Sequence, residues 1–327
     1  MTTMTQEAPL ETRPDTPLWS ENYALVFNDP VNRLSALFSL GTWRHDTTVW
    51  RENFCITLPD GQVLSTLNYG RNSKGNVASA SMARYEIVEP DRKVRLTYNG
   101  PMVSHTLDEL LQQGKPGALT YDVRLTLNFD ARSPMWDMHA GHEKDSTGMA
   151  GAMHIEQLGV SSGVLRVNEA EHRIANAFTC RDHSRGARNF NKYRNHCWMS
   201  GAFAGGRSFQ LYIFKMHGVE GIAMSQAVVS EGGRLYPATV EHVEVVDSLA
   251  DVRKAQKIVL KSELGEMDIK VAPGYATIPV SIAAPFDPSI GRLREPHAML
   301  FDEAVTMEWN GEKGLGWSER GFSKNPL

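Results

Sequence analysis

The sequence predicts an all-β protein built from antiparallel sheets, and three observations carry that expectation. The first is period-two alternation. Across Tyr121–Phe129 the odd positions Val123, Leu125, Leu127 and Phe129 are apolar, while Asp122, Arg124, Thr126 and Asn128 between them are polar. That is a strand with one face on a core and the other on water. The sets Val94, Leu96, Tyr98; Phe209, Leu211, Ile213; and Val305, Met307, Trp309 repeat it. The second is turn chemistry between such runs: Pro59-Asp60-Gly61, Asn99-Gly100-Pro101, Gly205-Gly206, Glu231-Gly232-Gly233 and Asn310-Gly311. The third is the lack of crossover helices, which disfavours parallel α/β architecture. Short strands at intervals of roughly 8–15 residues read as sandwiches or barrels.

The elements follow in order. Residues 1–18, rich in Thr, Pro and acids, are expected to be a disordered tail ending near Trp19. Looser strands are expected over 34–43, 50–58, 62–69 and 83–89, and Asp29–Phe38 has the makings of a helical turn. Thr106 and Glu109 form a capping box ahead of Leu107, Leu110 and Leu111, with Gly114 as the stop, which predicts one short connecting helix. Ala131–Met153 breaks the pattern with Pro134 and a run of Gly and Ala. A domain boundary is expected there, giving an N-terminal β domain over 19–148 and a C-terminal one over 149–327. Further strands are expected over 154–167, 172–180, 196–204, 222–230, 239–246, 256–262, 267–272 and 277–283.

Composition narrows the function classes. The chain has 327 residues, 41% hydrophobic and 22% charged, enough for a sizeable core. A net charge of −4 disfavours nucleic acid as the main partner. Cys55, Cys180 and Cys197 cannot pair completely and show no CxxC spacing, so a disulfide scaffold or zinc ribbon is not expected and a cytoplasmic location is. No secretory h-region or run of ~18 apolar residues occurs, so neither a signal nor a membrane span is expected.

The densest polar run is Arg181-Asp182-His183-Ser184-Arg185-Gly186-Ala187-Arg188-Asn189, read as a loop after the strand Ile174–Cys180. It is either a structural Arg–Asp network or a site in which arginines and burial tune Asp182. In His154-Ile155-Glu156-Gln157, strand geometry puts His154 and Glu156 on one face, either a cavity lining or an exposed edge. His139-x-x-His142 lacks a third ligand, so no metal is expected. Gly314-Leu315-Gly316-Trp317 lacks the dinucleotide context, and Cys180 beside Arg181 is a faint thiolate signal.

His154-x-Glu156-Gln157 followed by Arg181-Asp182-His183-Ser184-Arg185-Gly186-x-Arg188 resembles the two-domain lipocalin-like superfamily of carotenoid 1,2-hydratases, kievitone hydratase, tocopherol cyclase and AttH-like proteins. Ser20-Glu21-Asn22-Tyr23, Leu58-Pro59-Asp60-Gly61 and Gly314-x-Gly316-x-x-Glu319 are similar to a bacterial branch of it, and the resemblance spans about residues 19–322. It implies two consecutive lipocalin-like, calycin-type barrels or curled sheets and a hydrophobic substrate handled without a cofactor. The hydratases carry Asp-His-Asn-Trp-Gly, whose acid is thought to protonate a C=C bond; Asp182 and His183 fall on its first two positions. Ser184 and Arg185 replace Asn and Trp. A guanidinium repels a carbocation that an aromatic ring would stabilise, so Arg185 and Arg188 suit a carboxylate or phenolate.

The resulting expectation is a lyase or isomerase, of hydratase, dehydratase or cyclase type. Asp182 would be the acid/base, His183 its orienting partner, and Glu156 with His154 the groups that position water. Arg181, Arg185, Arg188, Tyr193, Trp198 and Glu319 would bind a terpenoid, steroid or aromatic substrate. The alternatives are a non-catalytic carrier of an apolar ligand with a carboxylate or phenolate group and, behind it, a scaffold. A homodimer is also expected, from long sheet edges.

Overall fold

The computed structural model describes residues 7–43, 46–112, 119–139, 151–283, 287–290 and 298–325. The predicted alternation builds two closed antiparallel barrels. The first contains β1 (Trp19–Asp29), β2 (Leu34–Trp43), β3 (Asp46–Thr57), β4 (Val63–Gly70), β5 (Val77–Ala78), β6 (Ala83–Glu89) and β7 (Lys93–His105). It continues with β8 (Thr120–Ala131), β9 (Trp136–Asp137), β10 (Met153–Val167) and β11 (Ala170–Ala187). The pairs β4–β7 and β1–β11 close the ring β1–β2–β3–β4–β7–β8–β10–β11.

The second barrel contains β12 (Tyr193–Phe203), β13 (Ser208–Met216), β14 (Met224–Glu231), β15 (Arg234–Val243), β16 (Gln256–Ser262) and β17 (Gly265–Val271). After these come β18 (Ala276–Ala283), β19 (Asp287–Ile290), β20 (Ala298–Trp309) and β21 (Glu312–Ser323). Its ring, β12–β13–β14–β15–β16–β17–β20–β21, is closed by β17–β20 and β12–β21. The long edges expected to favour a dimer are therefore consumed by closure among the described residues; the sheet paths end on the short β5 and β19.

Burial separates two kinds of strand. On β8 the apolar side chains fill the first barrel and the polar ones face solvent, as the alternation predicts. On β1, β2, β3, β12 and β13 nearly every residue is buried, because one face fills a barrel and the other packs on the second barrel. The seam is a core of its own: Val26, Leu37, Cys55 and Leu158 meet Tyr212, Phe214, Ile278 and Trp317. Asn28 fastens it. Its Nδ2 donates to the carbonyls of Val305 and Gly316, each at 2.9 Å, and its Oδ1 accepts from the Tyr275 hydroxyl.

Several expectations change. The division at 148/149 falls outside the described residues; the change of sheet lies between Ala187 and Tyr193, because β9, β10 and β11 all pair within the first sheet. Asp29–Phe38 is not helical: Asp29 Oδ1 accepts from the amides of Val31 and Asn32, forming a turn that delivers β2 at Leu34. The helix α1 (Leu107–Gln112) forms with its capping box intact, Thr106 N donating to Glu109 and Glu109 N to Thr106 Oγ1. It links β7 to β8, and Leu110 packs into the seam; Gly114 lies outside the described residues. The expected tail is ordered from Glu7, whose carboxylate is buried against Arg181 at 2.8 Å and whose carbonyl accepts from the Tyr23 hydroxyl. No helix among the described residues is long and apolar enough to cross a membrane.

Candidate functional site

The polar run expected as a loop is the second half of β11. It stays extended because β1 and β10 flank it: Asp182 is paired with Ala24 on one side and Glu156 on the other. Alternation then sends its side chains to two compartments. Arg181, His183 and Arg185 enter the first barrel, while Asp182 points toward the second barrel.

Inside the first barrel the charges neutralise one another. Arg181 binds Glu7 and donates to Gln157 Oε1 at 2.9 and 2.7 Å. His183 Nε2 lies 3.1 Å from Glu21 Oε1, and Arg185 Nε donates to the same oxygen at 2.7 Å. Burial raises the Glu21 carboxyl, but His183 and Arg185 outweigh it and hold the group below its ordinary value. Burial lowers the His183 imidazole. The orienting role expected of His183, and the substrate contacts expected of Arg181 and Arg185, therefore have no access to the seam; Arg181 and Arg185 anchor the N-terminal segment, and His183 binds Glu21 on β1.

Gly186 ends this alternation. Its φ is +133°, and a Cβ there would stand 2.4 Å from Ala152 N. The chain turns at this point, and Arg188 comes to line the seam beside Phe190.

On the seam side Asp182 meets His154 Nε2 directly. His154 Nε2 is also 3.6 Å from Glu156 Oε1. The His154 imidazole and the two carboxylates offer atoms all within 4.8 Å of one another, a set that can also hold a divalent cation. Glu156 accepts from Gln210 Nε2 at 2.9 Å. Burial, countered by His154 and reinforced by Asp182, pushes its carboxyl up to about 7. Four other buried carboxylates differ: Glu7, Glu21 and Glu303 each hold an arginine, and Glu52 accepts the amides of Ser81, Met82 and Ala83.

These groups face an open cleft between the barrels, about 960 Å³ with its mouth included. One wall is polar and comes from the first barrel: Asn22, Ser39, Arg51 and Asn53. The opposite wall is aromatic and comes from the second: Phe190, Tyr193, Trp198, Tyr212 and Phe214. Of the sequence-predicted residues, His154, Asp182, Arg188, Tyr193, Trp198 and Glu319 line the cleft, and Glu156 lies behind Asp182. Sequence reasoning missed Arg51, His196, Tyr212 and Asp302. Their signal was a polar residue interrupting an apolar strand, as Asp302 does after Leu300-Phe301.

Two linked antiparallel barrels meeting at a polar–aromatic cleft define an all-β, two-barrel protein. The chain belongs to the family described as domain of unknown function DUF7064, which it matches over residues 3–322. No curated protein matches it. Among solved structures it shares its fold with a putative AttH from Nitrosomonas europaea, at 12% identity and a TM-score of 0.60, covering 93% of this chain and 92% of that one. CghA matches at 11% identity and a TM-score of 0.54, covering 95% and 89%. CghA with Sch210972 gives the same values.

Proposed function

We propose that this chain is a cofactor-independent proton-transfer enzyme, of hydratase, dehydratase, isomerase or cyclase type. Its substrate is a hydrophobic, oxygenated molecule of terpenoid, steroid or aromatic kind. One observation carries the reading: Asp182, in contact with His154 and backed by Glu156, forms the acidic wall of a cleft whose other wall is aromatic. Buried carboxyls held by arginine stay ionised, whereas carboxyls held by an imidazole and another carboxyl exchange a proton readily. The fold shared with CghA, solved with Sch210972, supports a cleft for a small organic molecule.

In this reading Asp182 gives or takes the proton and His154 orients it, the place that the sequence suggested for His183. Glu156 supplies the second protonation state of the cluster. Arg188 receives the oxygen of the substrate, or the charge that develops on it. Tyr193 and Trp198 provide the flat apolar surface.

The test is a mass-spectrometric screen of terpenoids, steroids and aromatic acids in D2O and in H2-18O, with wild type and Asp182→Asn. Deuterium or 18O entering a product with wild type alone is the expected result. A compound that binds both proteins tightly and is recovered unchanged overturns the enzyme reading in favour of a carrier.

A further inference from the structure

The second barrel carries an acid pair that the reading above leaves unused. Asp302 on β20 and Glu319 on β21 are directly opposed across the ladder. Glu156 on β10 and Asp182 on β11 are opposed in the same way, and in each barrel these are the last two strands of the ring. In each pair one carboxyl is partly exposed and the other is not: the side chains of Asp182 and Glu319 are 13% and 14% exposed, whereas Glu156 and Asp302 are fully buried.

The resemblance extends to the neighbours. Asp182 has His154, and Glu319 has His196, whose Nε2 is 3.1 Å from Glu319 Oε1. The two imidazoles flank one phenol ring, with centroids 5.4 and 5.2 Å from that of Tyr212. Asp302 Oδ1 accepts from Trp317 Nε1 at 2.7 Å. Arg320, the next residue after Glu319, points into the second barrel and binds Glu303 at 3.0 Å, so it does not neutralise the pair. The groups around Asp302 and Glu319 are thus Trp317 and His196, the Tyr193 and Tyr212 hydroxyls and the Cys55 thiol, with Arg188 and Asp182 toward the cleft and Glu303 turned into the barrel. Burial raises both members above ordinary carboxylate values, Asp302 adds to the rise at Glu319, and burial with Arg188 nearby holds His196 down to about 3. Two apposed buried carboxyls with a neutral imidazole share a proton rather than ionise together.

We propose that Glu319 is a second catalytic acid–base group, sharing a proton with Asp302 and delivering it to the substrate while Asp182 removes another. This rests on the proton-transfer reading of the cleft. It narrows the substrate to an apolar carbonyl compound with an acidic C–H, such as a polycyclic β,γ-enone. The Glu319 O–H breaks as its proton moves to the carbonyl oxygen. The Asp182 carboxylate takes the proton from carbon, and that C–H electron pair becomes a new C=C bond. Return of a proton to the far carbon from Asp182, and of the enol proton to Glu319, gives the conjugated isomer. Nothing is oxidised or reduced, and the enzyme regains its starting protonation.

Two measurements on the full chain test this. In the first, 13C-carboxyl NMR follows Glu319, identified as the signal lost in Glu319→Gln. Glu319 is expected to titrate well above ordinary carboxylates and to move toward them in Asp302→Asn; ordinary titration in wild type overturns the dyad. In the second, androst-5-ene-3,17-dione is the probe and absorbance of the conjugated enone the readout. Glu319→Gln is expected to lower kcat by ~10²-fold or more with little change in KM. Full turnover in Glu319→Gln, with Asp182→Asn inactive, overturns the proposal and leaves the first reading standing. Full turnover in both variants overturns both. A wild type inert toward the probe overturns the enone substrate class.

Discussion

Asp182 and His183 are neighbours in the chain and occupy opposite faces of β11: Asp182 touches His154 at the cleft, and His183 stacks on Tyr23 with ring centroids 4.0 Å apart inside the first barrel. The two histidines should therefore separate cleanly under mutation. His154→Gln is expected to lower kcat by ~10²-fold while the melting temperature changes little. His183→Gln is expected to lower the melting temperature and leave kcat per folded molecule near wild type. Kinetics and thermal melts on the same preparations check both.

Acid should attack the first barrel early. The folded His183 imidazole sits below its ordinary value of 6.5, so the unfolded chain takes up that proton first and stability falls as pH drops below about 6.5. Glu21, held below its ordinary 4.5, adds stability that is complete above that value and lost as pH falls through its folded pKa. Both signs agree. The raised Glu156, Asp302 and Glu319 carboxyls act the other way over the same range, so the acid sensitivity of the first barrel is read as the slope of urea midpoint against pH in wild type relative to Glu21→Gln. The slope should be shallower in Glu21→Gln, which is also expected to lose about 3 kcal/mol at neutral pH.

The N-terminal segment should behave as part of the barrel. Glu7 accepts from Arg181 and from the Asp91 amide, and the Ala8 carbonyl accepts from Arg185. Glu7→Ala leaves a buried guanidinium without its carboxylate. The expected cost is about 3–5 kcal/mol, read from denaturant unfolding. Deleting residues 1–10 should cost at least as much.

Gly321 keeps the cleft open. A Cβ there would stand 2.3 Å from Tyr193 Oη and 2.4 Å from Leu300 Cδ2. Gly321→Ala is expected to push both side chains toward the ligand and weaken its binding about tenfold, within the cost of overpacking a core. Calorimetric titration with a ligand from the screen measures it.

Metal ions give an independent check on Asp182. If its role is proton transfer, Zn²⁺ captured by His154, Glu156 and Asp182 removes the transferable proton. Added Zn²⁺ should inhibit, chelation should restore turnover, and extensively dialysed protein should retain full activity. Loss of activity on chelation, reversed by metal, would recast Asp182 as a ligand.

The strands that were plain in the sequence are those with one wet face. Val123 to Phe129 alternate because Arg124, Thr126 and Asn128 meet solvent. Along the seam both faces are buried, so the alternation fades at β1, β2 and β12 although the strands are no weaker. The run on β11 read as a loop for a related reason. Its charges are satisfied by residues remote in the chain, Glu21 162 positions from His183 and Glu7 174 from Arg181. His154 and Glu156 were legible as one face of a strand and Asp182 as a candidate acid, whereas their meeting rests on the β10–β11 register that pairs Glu156 with Asp182. What was not legible was parity: without the knowledge that β11 continues to Ala187, Asp182 and His183 looked like one site.

The pairing of β1 with β11 sets a schedule for synthesis. The first ring cannot close until Ala187 has emerged, by which time Glu7 and Glu21 have long been made. Until then the acids lack their cationic partners. The strand that covers them is also the one that brings Arg181, His183 and Arg185. Burial and neutralisation of these acids therefore depend on one and the same strand.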